Sequence, residues 1–382
     1  MTRPKLRILV VGGPMYDGLY SSIQEFERQE GAQVEITRSD NHPDLNQRIH
    51  DSFSGGQGFD LISTHSKFVP AQTQWLSPLD HDFSSAELAH FNPTTLELAR
   101  INGTLWSVPR NLDAKLLHYR TDLVSGPPTT WDELLRLGQT LTREGQYGFV
   151  FPGYSSGIFG HFFELCGSAG HYLYDQDPPV PHADTEAGRW ALEMLGAWKT
   201  ISPPESVDFE FDRVAAFFGS GRAAMTTDWP GSFNGYQASE IGGRFALALY
   251  PLGPARRATY SGSHTFALSR TAADRPLAVA LLKFLTSRES QLLEARRGTL
   301  PARLDALEQA RLEAEPFEAR RWELLKEATQ YSWIPPKHPD YPAVEAIVWQ
   351  NVHAFLKGQK SAPEALRAID TLGAAAARGR AG

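Results

Sequence analysis

The sequence has a single cysteine, Cys166, among 382 residues. No disulfide can form within the chain, and no cysteine-based zinc site is available. A large core needs no covalent staple, so this scarcity fits an export compartment as well as the cytosol. Long hydrophobic runs are also missing: none approaches the ~20 residues that cross a bilayer. The basic start, Met1 to Arg7, is followed by an apolar stretch at residues 8–11 only, against roughly 7–15 residues in a secretory leader. The expectation is that a leader has been removed or that the chain is not exported by that route. An excess of positive charge is lacking too. Lys and Arg number 37 against 44 Asp and Glu, for a net charge of −7, which gives no reason to expect nucleic acid or an acidic membrane as partner.

Motifs that would announce chemistry are absent as well. Gly12-Gly13 follows a strand-like run, but no G-x-G-x-x-G and no G-x-x-x-x-G-K-[ST] can be placed on it. There is no H-E-x-x-H, and His161, His171 and His182 are spaced by ten and eleven, so no metal is expected. Cys166 lies in an apolar run and reads as a buried, inert thiol. No G-x-S-x-G is present. No cofactor is expected, and no catalytic set stands out. Carboxylates are plentiful enough that paired-acid glycosidase chemistry stays open.

What is present is an ordinary globular composition, 41% hydrophobic and 21% charged, with generous aromatics including nine Trp. The run at 8–11 reads as a buried parallel strand. Leu19, Ile23 and Phe26 mark a helix, Val34-Glu35-Ile36 a second strand, Leu45, Ile49 and Phe53 a second helix, and residues 59–62 a third strand. Strand-helix alternation of this kind predicts a parallel α/β domain. Ligands in such sheets sit beyond the carboxyl ends of the strands. That makes Tyr16 and Asp17 after the first strand, and Thr64 and His65 after the third, site candidates from architecture alone.

Further along, Thr130 and Glu133 form a predicted capping box, as do Ser361 and Glu364. A helix is expected over 187–198 with Trp190, Met194 and Trp198 on one core-facing side. Strands are expected at 245–250 and 265–268, one long helix over about 276–296, and a helix carrying Val344, Ile347, Val348, Val352 and Phe355. The Ala/Gly/Arg-rich tail from residue 374 is expected to fray.

The order of segments resembles the extracellular solute-binding proteins of ABC importers, in the maltose-binding-like carbohydrate group. The segments that carry the resemblance are Phe26 to Gly31 followed by Val34-Glu35-Ile36, Ser54-Gly55-Gly56-Gln57-Gly58-Phe59-Asp60-Leu61, Leu76-Ser77-Pro78-Leu79-Asp80, Asn102 to Pro109, Leu117 to Leu123 and Pro128 to Leu134. Later ones are Phe217 to Met225, Leu281 to Glu289, Leu300-Pro301-Ala302-Arg303 and Gly358 to Leu366. Phe59 stands for the usual Pro, Trp106 for Tyr and Arg120 for Asn.

The resemblance implies an α/β, two-lobed periplasmic-binding-protein fold of type II character, with a hinge between discontinuous lobes. It places residues 1–112 plus 263–304 in the N-terminal lobe and 113–262 plus 305–382 in the C-terminal lobe. It implies hinge closure on a small carbohydrate or polyol, with His65, His264 and Arg303 leaving room for an acidic or sulfonated sugar. It also implies permease transmembrane subunits as partners, a monomer, and a periplasmic or membrane-tethered location. Sugars require aromatic faces for their C–H surface and paired polar groups for their hydroxyls.

On that basis Asp113, Asp228, Trp229, Ser263, His264 and Arg303 join the candidates, with Tyr154 and Trp333 as further loop aromatics. Structural roles compete for several of them: a cap for Asp113, a lobe core for Trp229, a satisfied loop histidine for His65, and an ion pair across the hinge for Arg303. Trp106 and Trp131 are expected in the framework. The competing readings of the whole chain are a carbohydrate-active enzyme with an acid pair, and a cytoplasmic sugar sensor on the same fold.

Overall fold

The computed structural model describes residues 3–11, 17–39 and 42–379. The chain divides into two compact units, one of residues 1–113 and 262–322 and the other of 114–261 and 323–382. The first unit extends to Trp322 in its second segment, beyond the boundary at 304 expected from the sequence.

In chain order, the first unit opens with β1 (Lys5–Val11), α1 (Asp17–Glu30), β2 (Gln33–Ser39), α2 (His42–Ser54), β3 (Leu61–His65) and the short β4 (Val108–Pro109). The second unit begins with β5 (Leu116–Arg120), α3 (Trp131–Leu141), β6 (Tyr147–Val150), α4 (Ser155–Ser168) and α5 (Glu186–Lys199). It continues with α6 (Phe211–Gly219), β7 (Ala223–Asp228), β8 (Phe245–Ala248) and β9 (Thr259–Tyr260). The chain returns to the first unit for β10 (His264–Leu268), α7 (Arg275–Leu285), α8 (Arg288–Ala295) and α9 (Leu304–Glu313). Within α10 (Pro316–Ala328) it passes again to the second unit, which ends with β11 (Ser332–Trp333), α11 (Tyr341–Leu356) and α12 (Ala362–Arg378).

The first unit is built on a five-stranded sheet in the order β2-β1-β3-β10-β4. β1 runs parallel to β2 and β3, while β10 enters antiparallel between β3 and β4. Leu6, Ile8 and Val10 alternate with Leu9 and Val11 on opposite faces of β1, and all five are buried, because helices cover both faces. The second unit holds a four-stranded sheet, β8-β5-β7-β6, in which only β6 and β7 run parallel. Its core is aromatic: Trp131 and Trp198 meet at 5.0 Å, with Phe149, Phe151 and Tyr250 around them.

Several sequence expectations change. The helix expected over 276–296 is two helices, because Ser287 caps α8 through its hydroxyl to the Ser290 N–H, and Thr286 ends α7 by bonding back to Leu282. The strand expected over 245–250 ends at Ala248. Residues 374–378 are not frayed but complete α12, whose N-terminus carries the expected Ser361–Glu364 capping box. At α3 the Thr130 hydroxyl accepts from the Glu133 N–H as expected. The Glu133 carboxylate also accepts from the backbone N–H of Thr129 at 2.7 Å. Trp190 is half-buried, while Met194 and Trp198 are core. Cys166 is buried on α4, and burial pushes its thiol up, so it is unreactive at neutral pH.

Candidate ligand-binding site

In the first unit the pairing of β3 with β10 sets Thr64 opposite Thr265 and His65 opposite His264. The two imidazoles meet edge to face at 5.5 Å. Ser263 and His264 are held by Asn111, which sequence reasoning passed over. Its side-chain oxygen accepts from the His264 N–H at 2.8 Å, its amide nitrogen donates to Asp113 Oδ1 at 2.9 Å, and its carbonyl accepts the Ser263 hydroxyl at 2.7 Å. Asp113 Oδ2 then lies 3.6 Å from His264 Nε2. Asp113, Ser263, His264 and His65 are thus brought together.

Asp113 is 14% exposed. Burial raises its carboxyl from the ordinary range to about 7, against the opposing pull of Arg110 and of the Asn111 hydrogen bond. The backbone also constrains the cluster. A Cβ on Gly262 would stand 2.5 Å from the His65 ring, so only glycine lets the chain pass there.

Thr64 and Arg303 are committed elsewhere. The Thr64 hydroxyl donates to Gln72 at 2.9 Å, and Gln72 donates on to Asn46 at 2.9 Å, so Thr64 supports the strand end from inside. Arg303 gives two hydrogen bonds to Asp305, at 2.9 and 2.6 Å, and its guanidinium lies over Phe91. The expected partner across a hinge is therefore corrected: Asp305 belongs to the same unit. Arg110 is likewise paired, with Glu294 at 2.6 Å. Tyr16 lies outside the described residues; Asp17 opens α1, and its side chain also lies outside them.

In the second unit Asp228 ends β7 and Trp229 follows it. Asp228 is buried; it accepts from the Tyr236 hydroxyl and from the Trp229 N–H at 2.7 Å, and burial raises its carboxyl. The Trp229 ring is half-buried, met edge-on by Phe211 and Tyr260, each at 5.9 Å. Tyr154 caps α4 and is exposed, and its ring meets Trp349 at 5.1 Å and His353 at 5.2 Å, both on α11. Trp349 and His353 went unnoticed because the apolar stripe of α11 reads as core. Trp333 packs against Tyr172 at 5.6 Å and against Gly167 of α4, with Arg256 over its ring, which is a framework position.

Beneath Trp229 lies a charge pair also missed from sequence. Lys115 and Glu164 are buried and 2.8 Å apart. Burial pulls the Lys115 ammonium down, offset in part by Glu164. For Glu164 burial acts upward, and the Lys115 and His161 contacts outweigh it, so the carboxyl stays below its usual value. Burial, then Lys115, hold His161 down at about 4, which leaves that imidazole neutral. The available signal was a lone charge inside each of two apolar runs, Ala114-Lys115-Leu116-Leu117 and Phe162-Phe163-Glu164-Leu165.

No group of three metal-ligating side chains occurs among the described residues. The assembled chemistry is a half-buried aromatic ring beside a buried acid in one unit, and an acid with histidines at a strand end in the other. Such groups suit a ligand with both an apolar face and hydroxyls.

The chain also resembles several known proteins. The chain is 23% identical over 338 residues to a maltotriose-binding protein of Pyrococcus abyssi, covering 84% of this chain and 70% of that one. It is 22% identical over 330 residues to a probable amino-acid ABC transporter periplasmic-binding protein of Sinorhizobium fredii, covering 81% and 74%. It is 25% identical over 263 residues to a probable ABC transporter-binding protein of Deinococcus radiodurans; that match spans 64% of this chain and 62% of the relative. Among solved structures, maltose-bound T. maritima MalE3 superposes with a TM-score of 0.89 at 25% identity, over 97% of this chain and 99% of that one. A solute-binding protein of Thermotoga lettingae bound with α-D-tagatose shares the fold with a TM-score of 0.89 at 22% identity, over 98% and 100%. The fold is the two-lobed α/β architecture of maltose-binding-type periplasmic binding proteins. With residues 21–318 matching the bacterial extracellular solute-binding protein family, the chain belongs to that family.

Proposed function

We propose that this protein is the substrate-binding component of an ABC importer and that its ligand is a small, uncharged carbohydrate or polyol. The observation that carries the ligand class is the half-buried Trp229 ring set beside buried Asp228. A flat ring suits the C–H face of a sugar, and carboxylates suit its hydroxyls.

An acidic sugar is less well supported. Arg303, Arg110 and Lys115 each already face a carboxylate, of Asp305, Glu294 and Glu164. An anionic ligand would have to compete with those partners.

In this reading Asp113, His65 and His264 of the first unit, and Tyr154, Trp229 and Asp228 of the second, supply the contacts, with Trp349 added. A ligand that engages both sets at once binds the closed arrangement more tightly than the open one, and so shifts the population toward it. The closed monomer then docks on permease subunits in the periplasm or at the outer membrane face. No step of this cycle is catalytic.

The test is a melting scan against mono-, di- and trisaccharides, polyols, sugar acids and amino acids, with chemical analysis of each well. A ligand at ~100 times its Kd stabilises by about 2.7 kcal/mol. A neutral sugar that raises Tm and is recovered unchanged supports the proposal. A sugar that is consumed replaces it with an enzyme, and a shift by amino acids or sugar acids alone overturns the ligand class.

A further inference from the structure

The Lys115–Glu164 pair poses a question that the binding site does not answer by itself. Both side chains are withdrawn from solvent, and a buried ion pair is a weak source of stability: apolar groups of similar volume often serve as well or better. What distinguishes this pair is what it touches. The Lys115 ammonium lies 5.1 Å from the centre of the Trp229 ring and 5.6 Å from that of Tyr250. Since Lys115 is buried and Trp229 half-buried, the ring face it covers is the inward one.

Glu164 holds the surroundings of the same ring. It accepts from the Tyr250 hydroxyl at 2.9 Å and from the Tyr260 N–H at 2.7 Å, and the Tyr260 ring meets Trp229 edge-on. The Lys115 N–H donates to the Thr259 hydroxyl at 3.2 Å. The pair therefore faces one side of the indole directly and holds the backbone of Tyr260, whose ring stands nearly perpendicular to it. Lys115 also stands two residues after Asp113, and Tyr260 three before Ser263, so the chain segments leading to those first-unit residues start from the same clasp.

We propose that Lys115 and Glu164 are positioning residues for ligand binding: their ion pair holds the plane of the Trp229 ring, and without it the ring samples other orientations. This rests on Trp229 being the sugar platform. A preorganised ring binds more tightly because the cost of ordering it is met during folding rather than at binding.

The experiment uses the full chain labelled with 5-fluorotryptophan, with the Trp229 line in the fluorine spectrum identified by its loss in W229F. The test variant is K115M/E164Q, which removes both charges together and leaves neither unpaired. The expected result, without any ligand, is a Trp229 line that shifts and broadens or splits while lines distant from it hold, with Tm within a few degrees of the parent. For the neutral sugar that the melting scan selects, the same variant is expected to lose about tenfold or more in affinity. An unchanged Trp229 line overturns the proposal, and so does a change spread over all the tryptophans, which marks a general support of the fold. Should the double variant fail to fold, K115M, in which Glu164 keeps its hydrogen bonds from the Tyr250 hydroxyl and the Tyr260 N–H, is read in the same way, and an unchanged line there overturns the proposal. If the Trp229 line responds but no sugar binds the parent, the positioning of the ring stands and the sugar reading fails.

Discussion

Burial at Asp113 outweighs the pull of Arg110 and sets its carboxyl at about 7, above the 3.8 of an unperturbed aspartate. Folding therefore favours the protonated form. The stabilisation is complete below about pH 4, declines as pH rises, and is gone above about pH 7, a swing of roughly 4 kcal/mol at most. D113N, neutral throughout, is expected to flatten the fall in Tm between pH 5 and 8 while weakening sugar binding, both readable by calorimetry. W229A is expected to weaken sugar binding by about ten- to a hundredfold, since aromatic anchors carry much of a binding energy, with a Tm change of only a few degrees because the ring is half-buried. Asp113 and Trp229 stand out in the sequence as candidates because they follow shortly after the segments Asn102 to Pro109 and Phe217 to Met225. Asn111 does not: its role comes from bonding His264, 153 positions away, and nothing local records that. Arg303 was hidden for a different reason: its partner Asp305 is only two positions away, but it is one carboxylate among many.

Long, strongly periodic elements were readable in the sequence, α1 and α5 among them, because an amphipathic helix writes its buried face into its spacing. Elements made by tertiary pairing were not. β9 and β11 are two residues each and exist because Thr259 and Tyr260 align with Ser332 and Trp333; two residues carry no period. The break between α7 and α8 was hidden because Ser287 sits in a helix-like apolar pattern and acts through its hydroxyl. Close element packing yields its own test. α3 lies so near β6 that a Cβ on Gly148 would strike the backbone of Gly138. G148A is expected to destabilise the second unit by about 1–3 kcal/mol, seen as a lowered urea midpoint with an unchanged m-value.

Across the whole molecule, each unit has its own core, so damage to one is expected to stay there. W131A removes a ring buried against Trp198 and Tyr250, at a cost of about 3–5 kcal/mol. Hydrogen exchange is expected to accelerate first in residues 114–261 and 323–382, with the sheet of the first unit still protected. The fold class was legible in the order of segments. The last boundary was not, because it falls inside α10, where no break in helical pattern marks it. β10 occupies an interior place in the first sheet, between β3 and β4, yet it is synthesised only after residues 114–261. The core of the second unit waits in turn for Tyr341, Val344 and Leu366. A ribosome making this protein thus emits two half-built cores in succession, and neither can close its long-range contacts until a segment from well over a hundred positions downstream has followed, which sets assembly on the slow side of the topological range.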